Sequence, residues 1–321
     1  MGKTEGEDRT IRISNAVLIA LAAVAALIIA AAVFIAPKYG KAFAEYRALR
    51  SEYKAASEKL AKTSARHDEL TSQLEEFKTL ENEIDQLQTD VFKQASKLEK
   101  DIMDGKSDRR ICYITVDDGP YNRANDYFEL FNKYDIKATF FLTTTNGNKL
   151  PDQRDIKADT MYSEYLKNGH TIGNHTYSHD YTSGGIYSST AKFMEAVEKQ
   201  QNFTSKATNG YRTRIVRFPG GSGMAGDLLP DIEDALRKEG YGWVNWTLDS
   251  GDSSGAADLT ADKIRDTVLE AADKNDQKIM VVLFHEWSKI TVDAMPEIIE
   301  GLEQKGYVFL PLFYDSVMVS K

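Results

Sequence analysis

The sequence predicts an α/β protein, a parallel sheet closed or nearly closed into a barrel, preceded by a transmembrane helix and a long helical, coiled-coil-like stalk. Three observations carry this. Residues 13–37 contain no charged side chain, and residues 41–104 contain neither proline nor glycine. From residue 111 onward, short runs of β-branched and aromatic residues alternate with amphipathic helical stretches, the pattern of βα units.

Residues 1–12 form a short polar tail. A helix of about 20 apolar residues spans a bilayer, so residues 13–37 are long enough for an anchor. Ala42-Phe43-Ala44 has the small-x-small form of a signal-peptide cleavage site. The apolar run exceeds the roughly 7–15 residues of such signals, which favours an uncleaved anchor. Lys3, Arg9 and Arg12 on one side face Lys38, Lys41, Arg47 and Arg50 on the other, so the positive-inside rule leaves the orientation open.

Residues 38–104 have helix-forming composition. Leu70, Phe77, Ile84, Val91 and Leu98 recur every seven residues, Leu80 and Leu87 fill sites between them, and Leu49, Tyr53, Ala56 and Leu60 form an earlier, weaker stripe. This argues for a coiled-coil stalk and a homo-oligomer, despite polar Gln73 and Gln94 in the repeat. The alternative is a long helix folded back on the globular domain.

The charged stretch 104–110 holds Gly105 and suits a boundary, leaving residues 105–321 as the catalytic domain. Expected strands are 111–116, 138–143, 171–174, 215–218, 242–248, 279–284 and 307–310. Expected helices include 125–134, 190–203, 227–239, 260–273 and 292–304. The net charge of −9 offers no basic field for nucleic acid. The single cysteine, Cys112, excludes a disulfide-stapled fold and reads as core packing.

Ionisable residues collect where strands end, which is where alternating β/α folds place their chemistry. The first strand runs into Asp117-Asp118-Gly119-Pro120. Of two adjacent carboxylates, one can bind a hard cation while the other moves a proton; the plain alternative is a solvated turn. His175 and His179, spaced i to i+4, share a face if they lie on a helical turn. With a carboxylate they make a three-ligand zinc site that leaves one position open.

Arg217-Phe218-Pro219-Gly220-Gly221 combines a bidentate cation with backbone able to approach a ligand closely. Asp249-Ser250-Gly251-Asp252 and Leu283-Phe284-His285 close the set. Each has an ordinary explanation alone: a surface ion pair, a polar loop, a core histidine. Five such strand ends in one domain are hard to read as coincidence.

In order and spacing, Thr115-Val116-Asp117-Asp118-Gly119-Pro120, His175-Thr176-x-x-His179, Arg217-x-Pro219, Asp249-x-x-Asp252 and Leu283-x-His285 resemble the signature of the polysaccharide deacetylases (NodB homology, carbohydrate esterase family 4). The resemblance covers about residues 110–321 and implies a distorted (β/α)7 barrel that removes acetyl groups from N-acetylated glycans with a divalent metal. Zinc is the first choice, with cobalt, manganese or nickel as substitutes.

It further implies that Asp118, His175 and His179 hold the metal, that Asp117 is the general base and that His285 protonates the leaving amine. Arg217 would orient Asp117, and Asp252 would orient His285. Gly220, with Pro219 and Leu283, would form the substrate and oxyanion side. Four residues depart from the family pattern: Val116 stands for Phe, Gly220 for Tyr, Ser253 for Trp, and Asp180 for Pro. No ligand, base or acid is lost, so the departures bear on substrate shape.

The reading that follows is a single-pass membrane protein with its catalytic domain outside the cytoplasm, deacetylating N-acetylglucosamine of peptidoglycan. Two alternatives stand beside it: an esterase acting on O-acetylated polysaccharide such as xylan, and a catalytically silent glycan-binding scaffold.

Overall fold

The computed structural model of the chain describes residues 15–144, 158–274 and 278–321. The expectations for residues 1–12 lie outside these, as do the side chains of Phe77, Leu80 and Ile84. The chain divides into two units, Met1–Phe77 and Lys78–Lys321.

Helix α1 (Asn15–Met103) begins in the first unit. Its segment Ala16–Phe34 is long and apolar enough to cross a membrane, and it is exposed throughout. Further along, Tyr46, Leu49, Tyr53, Leu60, Leu70 and Leu74 are also exposed.

The last turns of α1 belong to the second unit. Ala95, Glu99 and Ile102 are buried there, and Leu98 packs against the same cluster. The Phe92 and Phe313 rings meet edge-on at 5.0 Å. The Glu99 carboxylate accepts from the Tyr113 hydroxyl at 2.5 Å and from the Val317 N–H at 3.0 Å. The compact domain therefore starts well before the expected boundary at 104/105. The physical reason is the 95, 98, 99, 102 spacing, which puts one helix face on the domain.

The sheet comprises β1 (Arg110–Gly119), β2 (Thr139–Leu142), β3 (Thr171–Asn174), β4 (Ile215–Val216), β5 (Gly242–Trp243), β6 (Leu248–Asp249), β7 (Ile279–His285) and β8 (Tyr307–Phe309). The order is β5-β4-β3-β2-β1-β7-β6, with β8 beside the start of β1. All of these pairs are parallel.

One expectation changes here. The strand predicted over 242–248 is two short strands: β5 pairs with β4 and β6 pairs with β7, the opposite ends of the sheet. A single stretch thus touches both ends and draws the sheet most of the way round. Its middle leaves the ladder because the Arg217 guanidinium donates to the carbonyls of Val244 and Asn245, at 3.2 and 3.3 Å.

The helices are α2 (Ala124–Lys133), α3 (Ala158–Lys167), α4 (Thr190–Ala207), α5 (Leu229–Lys238), α6 (Ala261–Lys274) and α7 (Lys289–Gln304). Ser189 caps α4 and Ser288 caps α7 through their hydroxyls.

Strand alternation on β1 and β7 separates two of the three core clusters among the described residues. Cys112, Ile114, Val116, Met280, Val282 and Phe284 join the large cluster that includes residues of α2, α3, α6 and α7. Ile111, Tyr113, Ile279 and Val281 join the other, together with Ile102, Phe141 and Ile215. Continued up each strand, this second face carries Thr115 and Asp117 on β1, and Leu283 and His285 on β7. It is apolar at the bottom and polar at the C-terminal end.

Candidate active site

Neighbouring strand residues point to opposite faces, so Asp117 and Asp118 would diverge on a regular strand. Asp118 instead takes a left-handed conformation, φ 73°, and the β1–β2 register shifts between Asp117 and Gly119. Both carboxylates consequently border one cavity. A left-handed non-glycine residue costs on the order of 1 kcal/mol or more. Gly119 is required for space: a Cβ there would fall 1.4 Å from Oε2 of buried Glu286.

His175 and His179 follow β3 in a loop. The expected helical turn is absent because Thr176 is left-handed, φ 62°, with its N–H donating to Asn174 Oδ1 at 2.9 Å. The histidines converge all the same. His175 Nδ1 donates to the Arg217 carbonyl at 2.9 Å, which leaves Nε2 as its lone-pair nitrogen. Burial above all, then the neighbouring His179, pushes the His175 pKa well below the usual imidazole range, so the ring is neutral.

Asp118 Oδ1 lies 3.6 Å from His175 Nε2 and 3.4 Å from His179 Nε2. These three ligand atoms are within 4.8 Å of one another, and Asp118 Oδ1 is buried with no hydrogen-bond partner. A tetrahedral cation with bonds of about 2.0–2.1 Å needs ligands about 3.3 Å apart. The orphaned carboxylate oxygen, two nearby imidazole nitrogens and their spacing fit a divalent metal.

The proton-handling groups lie next to it. Asp117 is buried, and its Oδ1 accepts from Arg217 at 3.0 Å. The same guanidinium donates to the Thr115 hydroxyl at 2.6 Å. Burial raises the Asp117 pKa to about 6, against the opposing charges of Arg217 and His285. His285 Nδ1 is 2.7 Å from Asp252 Oδ1, while the His285 backbone N–H and the Thr291 hydroxyl donate to Oδ2 at 2.8 and 2.9 Å. Burial pulls the His285 pKa down, but the Asp252 hydrogen bond and charge, with Asp118 and Asp117, outweigh it and set it at about 9.

The sequence model of the polysaccharide deacetylase family matches residues 104–241. The chain contains a polysaccharide deacetylase domain. Over 209 residues it is 28% identical to a peptidoglycan-N-acetylglucosamine deacetylase of Bacillus cereus, a match spanning 63% of this chain and 69% of that one. It is 25% identical over 211 residues to a bifunctional xylanase/deacetylase of Pseudobutyrivibrio xylanivorans, covering 63% of this chain and 30% of that one. Its fold is similar to the crystal structure of the catalytic domain of a peptidoglycan N-acetylglucosamine deacetylase from Eubacterium rectale. That match has a TM-score of 0.57 at 28% identity and covers 66% of this chain and 93% of the other.

In the deacetylase domain the cavity measures about 370 Å³. Of the residues singled out by sequence, Asp117, Asp118, His175, His179, Gly220, Asp249, Ser253, Leu283 and His285 line it. Arg217 and Asp252 are buried behind their partners. Pro219 is not among the residues lining the cavity; its carbonyl accepts from the Tyr187 hydroxyl at 2.8 Å.

Tyr181, Trp246 and Trp287 complete the lining. Trp246 lies over Gly221, its Cη2 3.1 Å from where a Cβ would stand. Sequence reasoning missed Tyr181 and the role of Glu286. Sequence reasoning offers Trp246 and Trp287 as aromatics in place of the wall lost at Ser253, and both line the cavity.

Proposed function

We propose that this chain hydrolyses the acetamide of N-acetylglucosamine in cell-wall peptidoglycan, using a divalent metal and working from a membrane anchor with the domain outside the cytoplasm. The observation that carries the reading is the convergence of Asp118 Oδ1, His175 Nε2 and His179 Nε2 on a cavity that Asp117 and His285 also border. A divalent cation, zinc as first choice, would be held by those three atoms and would supply Lewis acidity toward the acetyl carbonyl and a more acidic water.

The chain's own groups do the rest. Asp117, ionised above about pH 6 and braced by Arg217, accepts a proton from the attacking water. His285, protonated below about pH 9, has Nδ1 committed to Asp252 and so presents Nε2 to the leaving nitrogen. As the carbon–nitrogen bond breaks, His285 gives that nitrogen its proton, and acetate and a glycan amine result. Gly220 offers backbone to the developing oxyanion, and Leu283 forms an apolar wall beside the acetyl methyl.

The names of the Bacillus cereus and Eubacterium rectale proteins support peptidoglycan. The exposed apolar segment Ala16–Phe34 supports the anchor, and the exposed stripe through Leu49, Tyr53 and Leu60 supports self-association of the helix. The xylanase/deacetylase relative keeps an O-acetyl ester in the comparison.

The test is acetate release by the purified full chain from isolated peptidoglycan and, in parallel, from acetylated xylan. Release from peptidoglycan should stop with a chelator, return with zinc and be absent in Asp117→Asn. Release from xylan alone would move the assignment to the ester. No release from any N-acetylated glycan with any divalent metal would refute it.

A further inference from the structure

We propose that Trp287 is a positioning residue for the metal ligand Asp118, its indole N–H tying down one carboxylate oxygen so that the other faces the two histidines. The inference rests on the metal-site reading above and adds to it a residue outside the ligand set.

The two oxygens of Asp118 have different surroundings. Oδ2 accepts the Trp287 Nε1–H at 3.3 Å. Oδ1 has no hydrogen-bond partner and stands 3.4 and 3.6 Å from the His179 and His175 Nε2 atoms. An indole only donates, so this contact restrains the carboxylate and leaves the ligating oxygen free. Asp118 needs such a restraint: in its left-handed conformation the strand pleat no longer dictates where its side chain points.

Trp287 is itself presented rigidly. The preceding backbone N–H groups of His285 and Glu286 donate to Asp252 Oδ2 and to the Asp117 carbonyl, at 2.8 and 3.0 Å. The following residue, Ser288, caps α7 through the Thr291 N–H at 3.2 Å. The Trp287 ring also lies 5.8 Å from the His285 ring. One side chain thus contacts both the metal ligand and the proposed acid.

Outer-shell donors to metal ligands typically account for about 10- to 100-fold in affinity. Zinc affinity of the full chain, measured by competition with a chromophoric chelator, should fall at least about tenfold in Trp287→Phe. That variant keeps an aromatic ring and loses the N–H; unfolding of the metal-free protein should be unchanged. Zinc affinity within twofold of the parent would overturn the proposal and leave the metal site standing. A parent that binds no zinc would overturn both.

A second readout needs no variant at position 287. In nitrogen-15-tryptophan-labelled chain the indole signals of Trp243 and Trp246 are assigned by their own Phe replacements, and the remaining signal is Trp287. Zinc should move that signal as the cation draws electron density from Asp118. An unmoved signal sinks the proposal even if Trp287→Phe fails to fold.

Discussion

Asp117 and His285 border the same cavity, and both titrate above their ordinary ranges, at about 6 and about 9. The base must be ionised and the acid protonated, so deacetylation should rise through about pH 6 and fall through about pH 9. A bound cation favours ionised Asp117 and draws the first limb lower. Asp252 raises His285, so its removal must lower that pKa. In Asp252→Asn the alkaline limb should move to lower pH, and a limb that stays in place in the pH–rate profile would disprove this assignment.

Gly119 is a second residue-scale case. A methyl group would meet Oε2 of Glu286 at 1.4 Å, and Glu286 is held on its other oxygen by the Tyr165 hydroxyl at 2.6 Å. Gly119→Ala should destabilise by about 3 kcal/mol, the upper end of ordinary overpacking, and should displace Asp118. Denaturant unfolding and metal binding would read both effects.

What was legible at this scale follows from chemistry. Asp117, Asp118, His175, His179 and His285 announce themselves because few residue types bind metals or move protons. Tyr181 and Glu286 did not, because an aromatic near a turn or an acid after a histidine has many uses. Only the fold, which sets the Tyr165 hydroxyl on Glu286, reveals Glu286 as the buried neighbour that requires a glycine at 119.

Among elements, β7 was readable to within a residue and the start of β1 likewise, since both are long, apolar and paired along most of their length, while β1 runs three residues past its expected end, through Asp117 and Asp118 to Gly119. The stretch 242–249 was not. Its composition suits a strand throughout, and the break arises from a side chain 27 residues earlier in sequence claiming the Val244 carbonyl. Local patterning carries no trace of such a long-range competitor.

The seating of α1 has a measurable consequence. Removing the helix would expose the Ile102 site and leave the Tyr113 hydroxyl and Val317 N–H without their Glu99 acceptor. Losing a buried isoleucine-sized group costs about 2–5 kcal/mol, and stranding a buried polar group about 1–3 more. A fragment of residues 105–321 should therefore unfold at clearly lower denaturant than one of residues 78–321. Equal midpoints would show the helix contributes nothing. The heptad spacing that suggested a stalk also placed Leu98 and its neighbours on the domain, because an apolar stripe specifies that a face is covered and not by what.

For the molecule as a whole, the first unit carries the segment suited to a bilayer and the second carries the chemistry. The catalytic unit is tied together by Arg217, which is fully buried and bonded to Thr115, Asp117, Val244 and Asn245. It sits where the two ends of the sheet approach, like a rivet through a seam. Arg217→Lys removes the planar fork and cannot reach all four partners. This variant should lose thermal stability and turnover together. Because one guanidinium serves both closure and chemistry, selection cannot weaken the joint without also blunting the base, and drift at position 217 carries a double penalty.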